Sequence, residues 1–242
     1  GVDALTYDYT DSGNLLLKVT DGTTGNTDVG DFRNGTNSGN DYEYYTDGSL
    51  KLDRNKTIKT IEYDPFHKKV KYVEFDDGKW NKFDYAGNGS LIKRQNSTGE
   101  YWDYTANIIY KNGVAYQMNT AEGRTVYNGT AWEYEFEYRD HNEDLRLSFK
   151  NENGLPTIVQ QNTNDIWGWE IKGLSNVETG NSTQSNFRFL DRESVFETGW
   201  VNLNNRMVDP QLGRFISQDK ITAEQENYSL YQYGWNNPVL RS

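Results

Sequence analysis

The chain has 242 residues, and its 36 acidic and 25 basic side chains give a net charge of −11. This negative balance opposes binding to nucleic acid, because the phosphate backbone repels an acidic surface. The absence of cysteine excludes disulfides and thiolate zinc sites. No apolar run reaches the ~18 residues of a membrane span. The 18 Tyr, 10 Phe and 7 Trp argue against a disordered chain, because aromatic side chains bury large areas.

Short aromatic-rich runs alternate with Gly, Asn and Asp through the first half of the chain. Three of the polar interruptions are Asp47-Gly48, Asp77-Gly78 and Asn112-Gly113. Such dipeptides supply the positive φ angles that two-residue hairpin turns require. The runs between them alternate aromatic and polar side chains, which directs one face of each strand towards a core. The pattern predicts an all-β fold of consecutive antiparallel hairpins.

The leading aromatic residues of successive units recur at a regular interval. Tyr42, Tyr63, Phe83 and Trp102 are separated by 21, 20 and 19 residues. A period of this length is typical of a repeat array. It resembles the YD repeat, a hairpin unit rich in Tyr-Asp, since Asp follows each of the last three of these residues.

Two polar stretches interrupt the hairpin pattern. Residues 20–41 and 176–186 are rich in small polar residues and hold few apolar ones. We expect both to form long surface loops with the least order in the chain.

The segment 206–238 carries the most specific pattern. It reads Arg-Met-Val-Asp-Pro-Gln-Leu-Gly-Arg-Phe-Ile-Ser-Gln-Asp at 206–219 and Asn-Tyr-Ser-Leu-Tyr-Gln-Tyr-Gly-Trp-Asn-Asn-Pro at 227–238. This order and spacing resemble the terminal box of the Rhs/YD-repeat family, the Rhs repeat-associated core. In that family the box closes a β-shell just before a variable C-terminal segment.

The middle of the chain resembles Bacteroidetes-type members of the same family. The matching stretches are 109–114, 120–124 and 134–141, with a looser match at 167–174. Where the family continues Asp-His-Leu-Gly-Asn, this chain has Asp-His-Asn-Glu-Asp at 140–144, so it resembles a degenerate member. We therefore predict degenerate YD-repeat hairpins at 1–108 and an Rhs-core-like β region at 109–242, within one continuous β domain.

An area estimate limits what the chain can enclose. A toxin of about 100 residues needs a surrounding surface of roughly 6,000 Å². With strands ~18 Å long and ~4.8 Å apart, roughly 25 strands cover about 2,200 Å². We therefore expect a curved strip or partial shell, which is either the closing end of a longer shell or a reduced relative. The start at Gly1, without Met, indicates a segment of a longer protein.

The resemblance implies a structural role, with no enzymatic activity and no cofactor. The chain would be a β-shell segment of a secreted polymorphic-toxin or effector carrier that encloses or presents a toxic C-terminal segment. Its implied partners are the rest of its own Rhs shell or that toxic segment, together with secretion or contractile injection machinery. The implied location is outside the cell, either secreted or at the cell surface.

One alternative that the resemblance implies is self-cleavage after the core by an aspartyl-protease-like site. That chemistry needs two carboxylates close enough to share a proton, so that one activates water and the other protonates the leaving group. The residues that match the box are Asp209, Asp219, Arg206 and Arg214. In a purely structural interpretation, the two aspartates instead cap turns and pair with the two arginines.

Two further alternatives remain open. An extracellular module could bind glycans or another cell's surface, because exposed Trp rings stack on sugar faces. Trp132, Trp167, Trp169 and Trp200 are the candidates, with core packing as the competing interpretation. The chain could also be a toxin itself. No metal site is expected, since the two histidines, His67 and His141, lie far apart in sequence.

Overall fold

The computed structural model describes residues 3–11, 13–23, 32–35, 38–177, 184–220 and 228–239. Within these ranges the chain folds into 21 β-strands and two short 3₁₀ turns, Lys172–Leu174 and Gly234–Asn236, without any α-helix. No helix of this part of the chain has the length and apolar character that a membrane crossing requires. The all-β prediction is therefore confirmed.

Three antiparallel sheets account for all the strands of the described residues. The first sheet pairs β1 (Leu5–Tyr9) with β2 (Leu16–Asp21). In the second sheet fourteen strands follow one another in chain order: β3 Tyr42–Tyr44, β4 Leu50–Asp53, β5 Ile58–Tyr63, β6 Val70–Phe75, β7 Trp80–Tyr85, β8 Leu91–Asn96, β9 Tyr101–Thr105, β10 Ile108–Lys111, β11 Val114–Thr120, β12 Gly123–Tyr127, β13 Trp132–Arg139, β14 Leu145–Glu152, β15 Leu155–Gln161 and β16 Asn176–Val177. The third sheet has five strands, also in chain order: β17 Phe187–Phe189, β18 Arg192–Val195, β19 Trp200–Asn202, β20 Met207–Asp209 and β21 Arg214–Phe215.

The strand connections use the turn chemistry that the sequence predicts. Between β10 and β11, Asn112 and Gly113 both have positive φ, at +52° and +79°. Two successive residues with positive φ match the right-handed twist of the flanking strands, which explains the Asn-Gly pair. The periodic aromatic residues Tyr42, Tyr63, Phe83 and Trp102 fall on β3, β5, β7 and β9. The repeat of about twenty residues is therefore one hairpin, two strands and two turns.

The five-stranded sheet packs between two apolar clusters. On one side, Val195, Trp200 and Met207 join Ile61 and Phe83 of the large sheet in a single buried cluster. On the other side, a smaller cluster forms around Phe189, Val201, Val208 and Tyr233. Burying an aromatic side chain of this kind contributes roughly 1.5–3 kcal/mol. The small sheet is therefore fixed to the strip by hydrophobic packing over strands that are distant in sequence.

Strand β13 reverses the expected direction of its side chains. We expect aromatic residues to face a core, yet Trp132, Phe136 and Tyr138 are exposed while Glu135 is buried. The buried face holds ions instead, because the guanidinium of Arg124 donates from Nε (2.9 Å) and Nη2 (2.6 Å) to Glu135 Oε2 and from Nη1 to Gln117 Oε1 (3.0 Å). Because the buried carboxylate and guanidinium satisfy each other's hydrogen bonds, this side of β13 is buried without apolar side chains.

The structure describes part of the two predicted polar stretches and leaves the domain division a prediction. Strand β2 extends to Asp21 and β16 begins at Asn176, so the first two residues of each polar stretch belong to a strand. Residues 24–31, 36–37 and 178–183 of these stretches lie outside the described residues. The low order expected of the stretches therefore stays a prediction. The large sheet continues through β9 and β10 across residues 108 and 109, and the division at that point stays a prediction.

Candidate functional site

The four residues predicted from the terminal box lie in the small sheet or beside it. Asp209 ends β20 and Arg214 begins β21, and the two face each other as paired positions. Arg206 directly precedes β20. Asp219 follows β21, and its N–H donates to the carbonyl of Leu230 at 3.0 Å. The described part of the terminal box is thus paired and packed against the rest of the fold.

Asp209 forms a buried ion pair with Lys56, a residue from the turn between β4 and β5. The Lys56 Nζ atom lies 2.9 Å from Asp209 Oδ1, and the side chains are 3% and 1% exposed. Lys56 also donates to the Thr198 carbonyl at 3.2 Å, and Trp200 Nε1 donates to Asp209 Oδ2 at 3.3 Å. Because both charges are withdrawn from water, each depends on the other for its stability. The pair joins the large sheet to the small one.

A second carboxylate, Asp53, lies in the same buried cluster. Its Oδ1 atom accepts the backbone N–H of Lys56 at 3.1 Å, whereas its Oδ2 atom has no hydrogen-bond partner among the described residues. Burial raises the pKa of Asp53 to about 7; the charge of Lys56 opposes this shift and that of Asp209 adds to it. The carboxylate that interacts electrostatically with Asp209 is therefore Asp53, from strand β4.

Asp219 pairs with Arg206, apart from that cluster. The Arg206 Nη2 atom lies 2.6 Å from Asp219 Oδ2, and the guanidinium stacks on Phe215, with 3.6 Å between Cζ and the ring centroid. Burial lowers the pKa of Arg206, and Asp219 opposes that shift. Arg214 donates to the Asn14 carbonyl at 3.2 Å and stacks on Tyr231.

The two predicted catalytic aspartates, Asp209 and Asp219, form ion pairs with different cations. Asp209 binds Lys56 and accepts the backbone N–H of Gln211 at 3.0 Å, as a turn cap does, while Asp219 binds Arg206. Of the pairings in the structural interpretation, the one between Arg206 and Asp219 is present. The partner of Asp209 is instead a lysine 153 positions away in sequence. Self-cleavage through Asp209 and Asp219 stays a prediction.

A second buried ionic cluster also joins the two larger sheets. Tyr104 of β9 donates its hydroxyl to both carboxylate oxygens of Glu193 of β18, at 2.7 and 2.9 Å. Arg94 of β8 lies behind them, with Nη1 3.8 Å from Glu193 Oε1. Burial raises the pKa of Glu193, while Arg94 and the Tyr104 hydrogen bond oppose the shift. Two separate polar clusters therefore set the position of the small sheet on the strip.

The four tryptophans considered for glycan stacking have different environments. Trp200 is fully buried, and Trp167 and Trp169 are partly buried against Tyr233 and Lys56. Trp132 is 43% exposed. It belongs to a row of side chains on one sheet face, the aromatic face, which sequence reasoning missed because it assigned such residues to the core. The exposed members are Trp132, Phe136, Tyr138 and Ile158, and the half-buried members are Tyr127, Tyr134 and Phe149.

Comparison with known proteins places the fold. No family model matches the sequence. Salivary gland surface protein 1 of Aedes aegypti is 23% identical over 203 residues, which are 76% of this chain and 6% of that protein. The crystal structure of TcdB2-TccC3 superposes with a TM-score of 0.67 at 14% identity, over 97% of this chain and 13% of that chain. A Photorhabdus luminescens Tc holotoxin pore with mutated TccC3 gives the same TM-score and coverage at 15% identity.

The chain has an Rhs-like shell fold. The resemblance drawn from the terminal box implied this architecture, and the superposition over nearly the whole chain confirms it. The chain spans 13% of the length of these solved structures. TcdB2-TccC3 without its hypervariable C-terminal region is also similar, with a TM-score of 0.60 at 13% identity, over 98% of this chain and 16% of that chain.

Proposed function

We propose that the chain is a wall segment of a toxin-carrier shell, the terminal part of a secreted effector that encloses or presents a toxic C-terminal segment. The observation that carries the proposal is the large sheet. Among the described residues its fourteen strands follow one another in chain order. Because each hairpin pairs with the next, such a sheet is lengthened by further hairpins of the same kind.

The fold likeness supports the same proposal. One of the similar solved structures is a Tc holotoxin pore, and another is TcdB2-TccC3 without its hypervariable C-terminal region. The chain would act without enzymatic activity or cofactor, as a degenerate YD-repeat strip that ends in an Rhs core. Its partners would be the rest of the shell, the toxic segment and the secretion or injection machinery that exports it.

Limited proteolysis of the full natural gene product tests this proposal. We expect a fragment outside residues 1–242 to stay uncut under native conditions and to be digested after unfolding in guanidinium chloride, because a closed wall excludes protease. A matched digestion with this chain alone identifies the bands that come from the wall. If every part outside the wall is cut at the same rate in native and unfolded protein, the chain encloses nothing and the proposal is wrong.

We infer a second candidate function, recognition of glycans or of another cell's surface, from the aromatic face. Phe136 and Phe149 are adjacent on β13 and β14 with ring centroids 5.5 Å apart and planes 17° apart. The two rings are nearly parallel and stacked on each other, and Phe136 is 40% exposed. Trp132, also exposed, lies on the same face next to Tyr127, with centroids 5.5 Å apart and planes tilted by 56°. Exposed rings on one sheet face can stack on the apolar faces of sugars.

Binding to an array of neutral oligosaccharides tests this second function. We expect Trp132→Ser with Phe136→Ser to lower affinity about tenfold or more, because each stacked ring contributes of order 0.5–1.5 kcal/mol beyond its buried area. Phe66→Ser is the matched control, since Phe66 is 87% exposed on the turn between β5 and β6. Equal loss in the control, or no binding by the unmodified chain, would count against glycan recognition.

A further inference from the structure

A cavity of about 250 Å³ lies between the loop around Trp169 and the first strands of the small sheet. Among the described residues of its lining are three cations, Arg33, Lys172 and Arg188, and one carboxylate, Glu170. The chain as a whole has the opposite balance, with 36 acidic and 25 basic residues. The cavity therefore concentrates positive charge within an acidic protein, where a negative ligand gains most from it.

Arg188 is the buried cation of this cavity. Its side chain is 9% exposed, its Nη1 atom lies 3.0 Å from Glu170 Oε2, and its guanidinium stacks on Phe196 at 4.5 Å. A guanidinium carries five N–H donors. Arg124, whose side chain is 1% exposed, uses Nε, Nη1 and Nη2 in hydrogen bonds. Among the described residues, Arg188 forms its ion pair and hydrogen bond with Glu170 alone. Arg188 therefore retains donors that a second carboxylate can occupy.

The rest of the lining is largely apolar, and three aromatic side chains contribute to it. Trp169, Phe189 and Phe196 line it, and the hydroxyl-bearing Ser194 lies beside them. Apolar walls with a few convergent polar groups are the usual composition of a small-molecule site. The volume suits a single ring-sized group rather than a folded segment. Burial lowers the pKa of Arg188 and only the carboxylate of Glu170 opposes that shift, which agrees with a cation that lacks a full set of partners.

We propose that this cavity binds a carboxylate carried on an aromatic body. The ligand carboxylate accepts hydrogen bonds from Arg188, the exposed Lys172 and Arg33 add favourable charge at the mouth, and the ring packs against Trp169 and Phe196. Glu170 then acts as an internal competitor, because its own carboxylate already occupies part of the guanidinium. A free aromatic acid and a peptide that ends in Phe share this chemistry. The proposal is independent of the shell function.

Isothermal titration of this chain with N-acetyl-L-phenylalanine, and with its carboxamide as the neutral control, tests the site. We expect the acid to bind at least tenfold more tightly than the amide. Glu170→Gln should strengthen binding of the acid about threefold to tenfold by removing the competitor. Lys172→Gln, an exposed substitution that leaves the core intact, should weaken it about threefold. Arg188→Gln should abolish binding, with circular dichroism to confirm that the variant is folded.

Two additional ligands identify the source of the carboxylate. A hexapeptide with a C-terminal Phe that binds more tightly than N-acetyl-L-phenylalanine indicates a peptide end, and equal binding indicates a small acid; both support the site. Inorganic phosphate that binds as tightly as the acid would show that the aromatic walls contribute nothing. That result, equal binding of acid and amide, or failure of the acid to bind Glu170→Gln would each overturn the proposal.

Discussion

Replacing Lys56 with Met is expected to lower the free energy of unfolding by about 3–5 kcal/mol, the largest effect of any single substitution considered for this chain. The substitution leaves Asp209 buried at 1% exposure without its cation, with the carboxyl group of Asp53 beside it. A methionine of similar length keeps the volume filled, so the loss reports the uncompensated charge rather than a cavity. Urea unfolding at pH 7, followed by tryptophan fluorescence, measures it.

Two further variants separate this interpretation from a general loss of charge. Lys59→Met removes an exposed partner of Glu74 and should leave stability nearly unchanged, because solvent screens such a pair. Lys56→Met combined with Asp209→Leu removes both buried charges and should be less destabilised than the sum of the single variants. If Lys56→Met and Lys59→Met unfold at the same urea concentration, the buried pair does not hold the sheets together.

Asp53→Asn is expected to remove a large part of the pH dependence of stability. Folding raises the pKa of the Asp53 carboxyl from 3.8 to about 7, chiefly through burial. Between these values the unfolded chain has lost the proton while the folded chain retains it, so stability falls as pH rises from about 4 to 7. A shift of about three units corresponds to about 4 kcal/mol. The stability of the variant relative to the unmodified chain should therefore grow by up to that amount from pH 4 to pH 8.

Urea unfolding of both proteins at pH 4, 6 and 8 gives the measurement. Asp77→Asn is the control with the opposite sign, since a hydrogen bond from Lys79 lowers the pKa of the exposed Asp77 carboxyl. Relative to the unmodified chain, that variant should lose a little stability as pH rises, because folding favours the ionised form of Asp77. A stability difference for Asp53→Asn that stays constant across this pH range would show that Asp53 does not retain its proton on folding.

Local turn chemistry explains why the strip could be predicted from sequence. A positive φ at Asn112 and Gly113 is a property of two adjacent residues, and each hairpin closes over a short stretch of chain. The position of the terminal box was predictable for a similar reason, since Asp209 and Arg214 pair across one tight turn. Contacts of this kind depend on nearest neighbours, so sequence patterns record them.

The ionic clusters could not be predicted, because their partners are far apart in the chain. Lys56 and Asp209 are 153 positions apart, and Tyr104 and Glu193 are 89 apart. Nothing in the residues around Lys56 distinguishes it from a lysine on the surface. The aromatic face was missed for a different reason. Alternation along β13 shows that its two faces differ, but it does not show which face is buried. The ion pair with Arg124 buries the face that carries Glu135 and leaves the aromatic face outside.

The two buried clusters determine how the small sheet is held on the large one. Lys56 with Asp209 and Tyr104 with Glu193 fix the small sheet at two separate places on the large one, in addition to the apolar packing of Trp200. Polar contacts of this kind specify one position, because a displaced sheet would leave charges unpaired. The terminal sheet is therefore held at one position on the large sheet and is not a hinged flap.

Single-particle electron microscopy of the full natural protein decides whether the chain is a wall segment. We predict that residues 42–177 form one part of a continuous wall, with further strands paired to the sheet outside this chain and with density enclosed by the wall. A map in which this chain stands as an isolated domain around no enclosed density would show that it is not a wall segment.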